Sequence, residues 1–189
     1  MTFENFEYKG LHLTPQQRQS LEEAFRSARN FAESHDGWLV LLGPNGCGKT
    51  HLAVAIANHR LRLGNPVVFV VVPDLLDHFR STFLPESKVT YDEVFETVRK
   101  TPLLILDDLG AQSATPWAQE KLYQIINYRY NARLPTVITS HFSLDQIEDR
   151  LSSRMTDFRL SLCIAITAPD YRGDRKPEPR PAQPNRRRR

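Results

Sequence analysis

Between residues 38 and 63 the chain passes from an unbroken apolar run, Trp38 to Leu42, through Gly43-Pro44-Asn45-Gly46-Cys47-Gly48 into Lys49-Thr50 and a stretch with Leu52, Ala55, Ile56 and His59 on one face. Few folds satisfy all three parts. The apolar run reads as a strand buried on both sides, and the steps of three and four after it read as a helix. The glycines between them allow backbone conformations closed to residues with a Cβ, so the connection turns tightly. That connection also fixes a chemistry. Without Cβ atoms in the way, successive N–H groups point inward, and the helix N-terminus adds partial positive charge, which together make a cradle for phosphate oxygens. In the spacing G-x-x-x-x-G-K-T, Lys49 reaches the β- and γ-phosphates of ATP and the Thr50 hydroxyl helps to hold Mg²⁺. Gly43, Pro44, Asn45, Gly46, Cys47, Gly48, Lys49, Thr50 and the adjoining His51 are therefore the candidate ATP-binding residues.

The rest of the chain repeats the strand and helix alternation. Further apolar, β-branched runs lie at Val67 to Val72, Leu103 to Leu106, Thr136 to Thr139 and Leu162 to Thr167. Helical spacing follows the Thr14-Pro15 start through Leu21, Ala24, Phe25, Ala28 and Phe31, and recurs over Asp74 to Phe83, Tyr91 to Arg99, Pro116 to Arg133 and Ser143 to Arg154. This pattern predicts an α/β sandwich around a five-stranded, mostly parallel sheet.

Leu103-Leu104-Ile105-Leu106 runs directly into Asp107-Asp108. A hydrophobic strand ending in an acid sets one carboxylate beside Mg²⁺, which we assign to Asp107, and leaves Asp108 to orient or deprotonate the attacking water. Taken alone the run is also an ordinary strand meeting a turn; its value comes from following a phosphate loop.

Composition bounds the setting. At 189 residues, 40% apolar and 25% charged, the chain reads as one soluble globular domain. No apolar run approaches the roughly 18 residues of a membrane span, and Met1 to Gly10 has no apolar block of a signal peptide, so a cytoplasmic protein is expected. Cys47 and Cys163 fit free thiols of a reducing compartment. The formal charge of +3 is uneven: residues 172–189 carry eight Lys/Arg against two Asp/Glu, leaving residues 1–171 net negative. That Pro- and Arg-rich stretch, ending in Arg186 to Arg189, cannot bury enough apolar surface to offset its ordering entropy, so we read residues 173–189 as a disordered basic tail. It attracts nucleic acid or acidic surfaces, or serves only as a solubilising end.

With both nucleotide motifs on alternating α/β segments, the chain resembles the AAA+ ATPases. More narrowly it resembles bacterial replicative helicase loaders of the DnaC/DnaI type and the IstB-like transposition ATPases. The likeness rests on Phe3-Glu4-Asn5-Phe6, Gly46-Cys47-Gly48-Lys49-Thr50-His51-Leu52-Ala53, Leu106-Asp107-Asp108-Leu109-Gly110, Ile138-Thr139-Ser140-His141, Arg150-Leu151-Ser152-Ser153-Arg154 and Pro169-Asp170-Tyr171-Arg172. It implies a three-layer P-loop NTPase sandwich of the AAA+ (ASCE) type over residues 37–172. Residues 1–36 form a lead-in segment and helix, and no C-terminal helical lid follows the fifth strand. It implies a polar sensor at the tip of the fourth strand, which falls on His141 backed by Ser140. Loaders usually have Asn there, so His141 is a departure whose protonation state matters; the alternative is a loop histidine without nucleotide contact. An arginine finger acting on a neighbouring subunit's site falls on Arg154, which shares a helix face with Arg150; solvated arginines are the plainer reading. Arg172 stands where a second, phosphate-contacting arginine is expected. Phe3 and Phe6 fit either the adenine surroundings or simple core. Most AAA+ enzymes have Glu where Asp108 stands, and the shorter side chain implies slow, switch-like hydrolysis.

The resemblance implies an ATP-dependent loader of a replicative DNA helicase, forming homo-oligomers through shared ATP sites and meeting single-stranded DNA. A transposition-helper ATPase and a nucleotide-gated DNA-binding adaptor with little hydrolysis are the alternatives. Between Asp74 and Lys100, where relatives line a DNA channel, acids and bases mix without a basic stripe. Phe79, Phe83 and Tyr91 at helical spacing favour core over base stacking, as Trp38 and Trp117 do. Loaders also carry a helicase-binding module before the AAA+ domain, whereas here the phosphate loop begins at Gly43.

Overall fold

The computed structural model describes residues 1–6, 13–34, 36–82, 90–110 and 115–171. In chain order the elements are α1 (Pro15–Ser34), β1 (Trp38–Leu42), α2 (Lys49–Arg62), β2 (Val67–Val71), α3 (Val72–Ser81), α4 (Tyr91–Lys100), β3 (Leu103–Asp107), α5 (Pro116–Asn131), β4 (Thr136–Ser140), α6 (Asp149–Met155) and β5 (Ser161–Ala165). The strands form one sheet in the order β2-β3-β4-β1-β5. Every described pairing is parallel, so the expected mostly parallel sheet is parallel throughout these pairs. The three interior strands β3, β4 and β1 are buried at every residue, whereas the edge strands β2 and β5 are only partly covered. The apolar runs Trp38 to Leu42 of β1 and Leu103 to Leu106 of β3 follow from this position, since both faces meet helices.

Side-chain alternation divides the core in two. Leu39, Leu41, Leu103, Ile105 and Val137 face α1 and α2 together with Phe6. Val40, Leu104, Leu106 and Ile138 face α3 to α6 on the other side. Helices on both faces of the sheet make the three-layer α/β architecture that the alternation predicts. Trp38 is buried packing on that second face, its indole Nε1 donating to the Leu134 carbonyl at 3.0 Å.

Several boundaries differ from the sequence expectation. Val72 opens α3 instead of ending β2, because Pro73 at the start of the helix supplies a preset φ and needs no N–H. The helix expected over Ser143 to Arg154 is two pieces. Leu144–Gln146 is a 3-10 turn closed by a Ser143/Gln146 capping box, and Ile147 is extended and buried before α6 begins. Thr90 and Glu93 form the reciprocal capping box that starts α4.

Arg129 of α5 is an interior cation with no exposed surface. Its guanidinium donates to Thr136 Oγ1 at 2.9 Å and to the carbonyls of Arg99, Thr101 and Pro135 at 3.0, 2.8 and 2.5 Å. It thus ties the entrances of β3 and β4 to α5, and burial lowers its pKa to about 10. Phe79 is fully buried and Tyr91 and Phe95 stack on one another beside it, so these aromatics are core. Phe83 lies outside the described residues, as do Arg172 and the tail.

Candidate functional site

The parallel sheet brings the C-terminal ends of β1, β4 and β3 side by side, at Leu42, Ser140 and Asp107. Everything the sequence singled out around the phosphate loop leaves from these ends. The loop itself requires its glycines. Gly46 has φ +74° and a Cβ there would lie 1.7 Å from the Asp170 carboxylate; Gly48 has φ +107° and a Cβ there would lie 2.8 Å from the ring of Phe6. The loop is therefore gripped from two sides. Tyr171 N–H donates to the Gly46 carbonyl at 3.2 Å on one flank, and Phe6 packs under Gly48 on the other.

α2 begins at Lys49, directly after Gly48 in a left-handed conformation. The Lys49 ammonium is buried and donates to the carbonyls of Gly43 and Pro44 at 2.7 and 2.8 Å, folding back across the loop mouth. Cys47 is buried in the loop, and desolvation holds its thiol above the ordinary range despite the nearby ammonium. His51, one residue into the helix from Thr50, turns to the N-terminal segment. Its Nε2 lies 2.9 Å from the Thr2 carbonyl and its ring meets Phe6 edge-on at 5.2 Å.

Opposite the loop, Thr50 Oγ1 sits 3.1 and 3.0 Å from the two oxygens of the Asp107 carboxylate. A hydroxyl and one carboxylate in contact form an all-oxygen set that fits Mg²⁺, which takes one or two carboxylates plus phosphate oxygens and water. Among the described residues no cluster of three or more His, Cys, Asp or Glu offers an alternative metal cage. Asp108 has φ +59°, in the left-handed region that Asp tolerates better than Glu. Its carboxylate accepts a hydrogen bond from His141 Nδ1 at 2.9 Å. The two positions that depart from the AAA+ pattern are thus in contact.

A family model described as "IstB-like ATP binding protein" matches residues 1–161. The chain belongs to the IstB-like ATP-binding family. Replicative helicase loader DnaC of Escherichia coli (strain K12) is 28% identical over 155 residues, covering 79% of this chain and 63% of that protein. The IstB-like chain thus spans about three fifths of that loader's length. Among solved structures, "Crystal structure of the DnaC helicase loader" superposes with a TM-score of 0.69 at 24% identity, over 87% of this chain and 98% of that one. "Crystal Structure of the DnaI" gives 0.65 at 28% identity, over 89% and 91%. The fold is that of a P-loop NTPase, and ATP binding is the property by which the family is described.

Away from the loop of this IstB-like chain, the arginine pair separates into two environments. Both guanidiniums lie over the ring of Tyr123, Arg150 at 4.4 Å and Arg154 at 4.9 Å, which places them on one face of α6. Arg150 is neutralised by Glu148, with Glu120 at 3.9 Å. Arg154 instead donates to Asn127 Oδ1, the Arg150 carbonyl and the Tyr123 hydroxyl, so among the described residues its charge meets only neutral partners. Two residues of the Ile138-Thr139-Ser140-His141 stretch make contacts that their sequence does not specify. Thr139, inside what reads as plain strand, has its hydroxyl 2.6 Å from Asp107 Oδ1. Ser140 donates to the Leu109 carbonyl at 2.5 Å and accepts from Phe142 N–H at 3.0 Å. The contacts to Asp107 and to the Leu109 carbonyl depend on β3 lying beside β4, which no local pattern encodes.

Proposed function

We propose that this chain binds ATP with Mg²⁺ at the Gly43–Thr50 loop, hydrolyses it slowly, and acts in the cytoplasm as a loader of a replicative DNA helicase. The observation that carries the nucleotide reading is the contact of Thr50 with Asp107 of β3, next to a glycine-rich loop across which Lys49 folds. Lys49 would leave its loop carbonyls for the β- and γ-phosphates. Asp107 and Thr50 would hold Mg²⁺, whose charge offsets that of the phosphate oxygens. Asp108, braced by His141, is placed to orient the attacking water, and His141 serves as the polar sensor. Arg154, whose guanidinium has no carboxylate partner among the described residues, suits a finger that enters a neighbouring subunit's site; such groups are worth roughly 10³ to 10⁵ in rate. This makes the active form a homo-oligomer with shared sites.

The loader role is supported by likeness to proteins named replicative helicase loader, and single-stranded DNA is the partner we propose to go with that role. The family description supports a second reading, a transposition-helper ATPase. Two measurements test these proposals. A fluorescent ATP analogue should bind the wild type with Mg²⁺ and fail to bind Lys49→Ala; equal binding to both would remove the nucleotide reading. Capture from native lysate in ATP and in ADP should then recover a hexameric helicase in one state only. Recovery of a transposase would favour the second reading.

A further inference from the structure

The geometry points to Thr139 as the positioning residue that sets both acids of the site from the neighbouring strand. This rests on the reading of the site as one for Mg²⁺ and ATP. Thr139 is 1% exposed near the end of β4. β3 and β4 pair in parallel register through Leu106 and Ile138, so the next residues, Asp107 and Thr139, sit side by side where that pairing ends, each still paired with the strand on its other side.

A threonine hydroxyl has one proton to give and lone pairs to receive. Here the proton goes to Asp107 Oδ1 at 2.6 Å, and the oxygen accepts the Asp108 N–H at 2.9 Å. The Thr139 carbonyl then takes the Leu109 N–H at 2.8 Å. Three consecutive residues are thus pinned by one. The first bond fixes how the Asp107 carboxylate is turned: Thr139 holds Oδ1 at 2.6 Å, which leaves both carboxylate oxygens against the Thr50 hydroxyl of the loop, at 3.1 and 3.0 Å. The second and third bonds hold the backbone on either side of Asp108 φ +59°, a conformation that needs such support. They therefore set the direction in which the Asp108 carboxylate leaves the chain toward His141. Neither acid has its orientation determined by its own strand.

Outer-shell partners that orient a metal-ligating carboxylate matter for metal affinity even though they never touch the metal. Valine matches threonine in shape and lacks the hydroxyl, whereas serine keeps the hydroxyl and lacks the methyl. Mant-ATP binding by the full chain, titrated with Mg²⁺ and repeated in EDTA, separates the two contributions. Thr139→Val should raise the Mg²⁺ concentration for half-maximal affinity gain by about 10- to 100-fold, the usual range for loss of such a partner. Its affinity in EDTA should be unchanged, and Thr139→Ser should follow the wild-type Mg²⁺ curve. A wild-type Mg²⁺ curve for Thr139→Val, or a weakened one for Thr139→Ser, would overturn the assignment and leave packing by the methyl as the role. Should the valine variant not fold, the serine curve alone decides in the same two directions. Absence of any Mg²⁺ dependence in the wild type would instead sink the nucleotide reading on which the assignment rests.

Discussion

The contact between Gly48 and Phe6 makes a prediction whose size can be worked out. An alanine at 48 meets two obstacles. The backbone sits at φ +107°, which costs a residue with a Cβ about 1–3 kcal/mol. The new methyl would also lie 2.8 and 3.0 Å from Cε2 and Cζ of Phe6. That ring is buried and held between Phe25, stacked at 5.6 Å, and the edge-on His51 at 5.2 Å, so it has little room to swing aside. Overpacking of this kind adds about 1–3 kcal/mol, so Gly48→Ala should destabilise by about 4 kcal/mol in total. Phe6→Ala alone should cost about 3 kcal/mol, at the low end for a buried aromatic because the terminal segment can close over the gap. In the double variant the ring is gone and only the backbone penalty of Gly48→Ala remains. The double variant should therefore be more stable than the sum of the singles predicts, by about 1–3 kcal/mol. Urea melts of the four proteins without nucleotide, followed by circular dichroism, measure this coupling. Additivity within about 0.5 kcal/mol would refute the claim that Phe6 is the wall against which the phosphate loop is formed.

The left-handed backbone at Asp108 should penalise Glu there by about 1 kcal/mol, whereas Asn should be neutral, as thermal melts of Asp108→Glu and Asp108→Asn will show. If Arg154 acts on a neighbour's site, Lys49→Ala and Arg154→Ala should each lack ATPase activity alone and recover part of it when mixed; an inactive mixture would place Arg154 outside the shared site. Burial raises the thiols of Cys47 and Cys163 above their ordinary range. Above the unfolded-state thiol value of about 8.5, the folded chain then binds more protons than the unfolded one, so stability is fully present below that pH and declines above it. The melting temperature should fall between about pH 7.5 and pH 9.5, and less so in the Cys47→Ala/Cys163→Ala variant; an equal fall would assign the loss to other groups.

How far the sequence was legible depended on whether the determinants were local. β1 and β3 were readable because a strand covered by helices on both faces is largely apolar, and Trp38 to Leu42 and Leu103 to Leu106 state that without help from distant partners, whereas β4 carries the buried polar residues Thr136, Thr139 and Ser140 beside its β-branched core. The loop was readable because the glycines, Lys49 and Thr50 are consecutive and their chemistry follows from spacing alone. The break between Gln146 and Asp149 was missed because apolar spacing continues across it: Ile147 is buried as a helical residue would be, but from an extended backbone. Arg129 looks like one more polar residue on an amphipathic helix until the carbonyls at the entrances of β3 and β4 are seen converging on it.

The site itself divides along the same line. Asp107 was assignable from its place after an apolar run, but its orientation belongs to Thr139, which is 32 residues away in the chain. From sequence, Asp108 and His141 read as two separate departures, a shortened acid that implies slow hydrolysis and a substituted sensor whose protonation state matters. In three dimensions they are one hydrogen-bonded unit at the ends of adjacent strands. A carboxylate held by an imidazole presents a different reach and a different set of donors from a lone Asp beside a lone Asn. The two side chains are in direct contact, so the cost of changing either one depends on the state of its partner. The two positions therefore act as a pair: the reach that Asp108 loses with its missing methylene is set together with the ring that braces it.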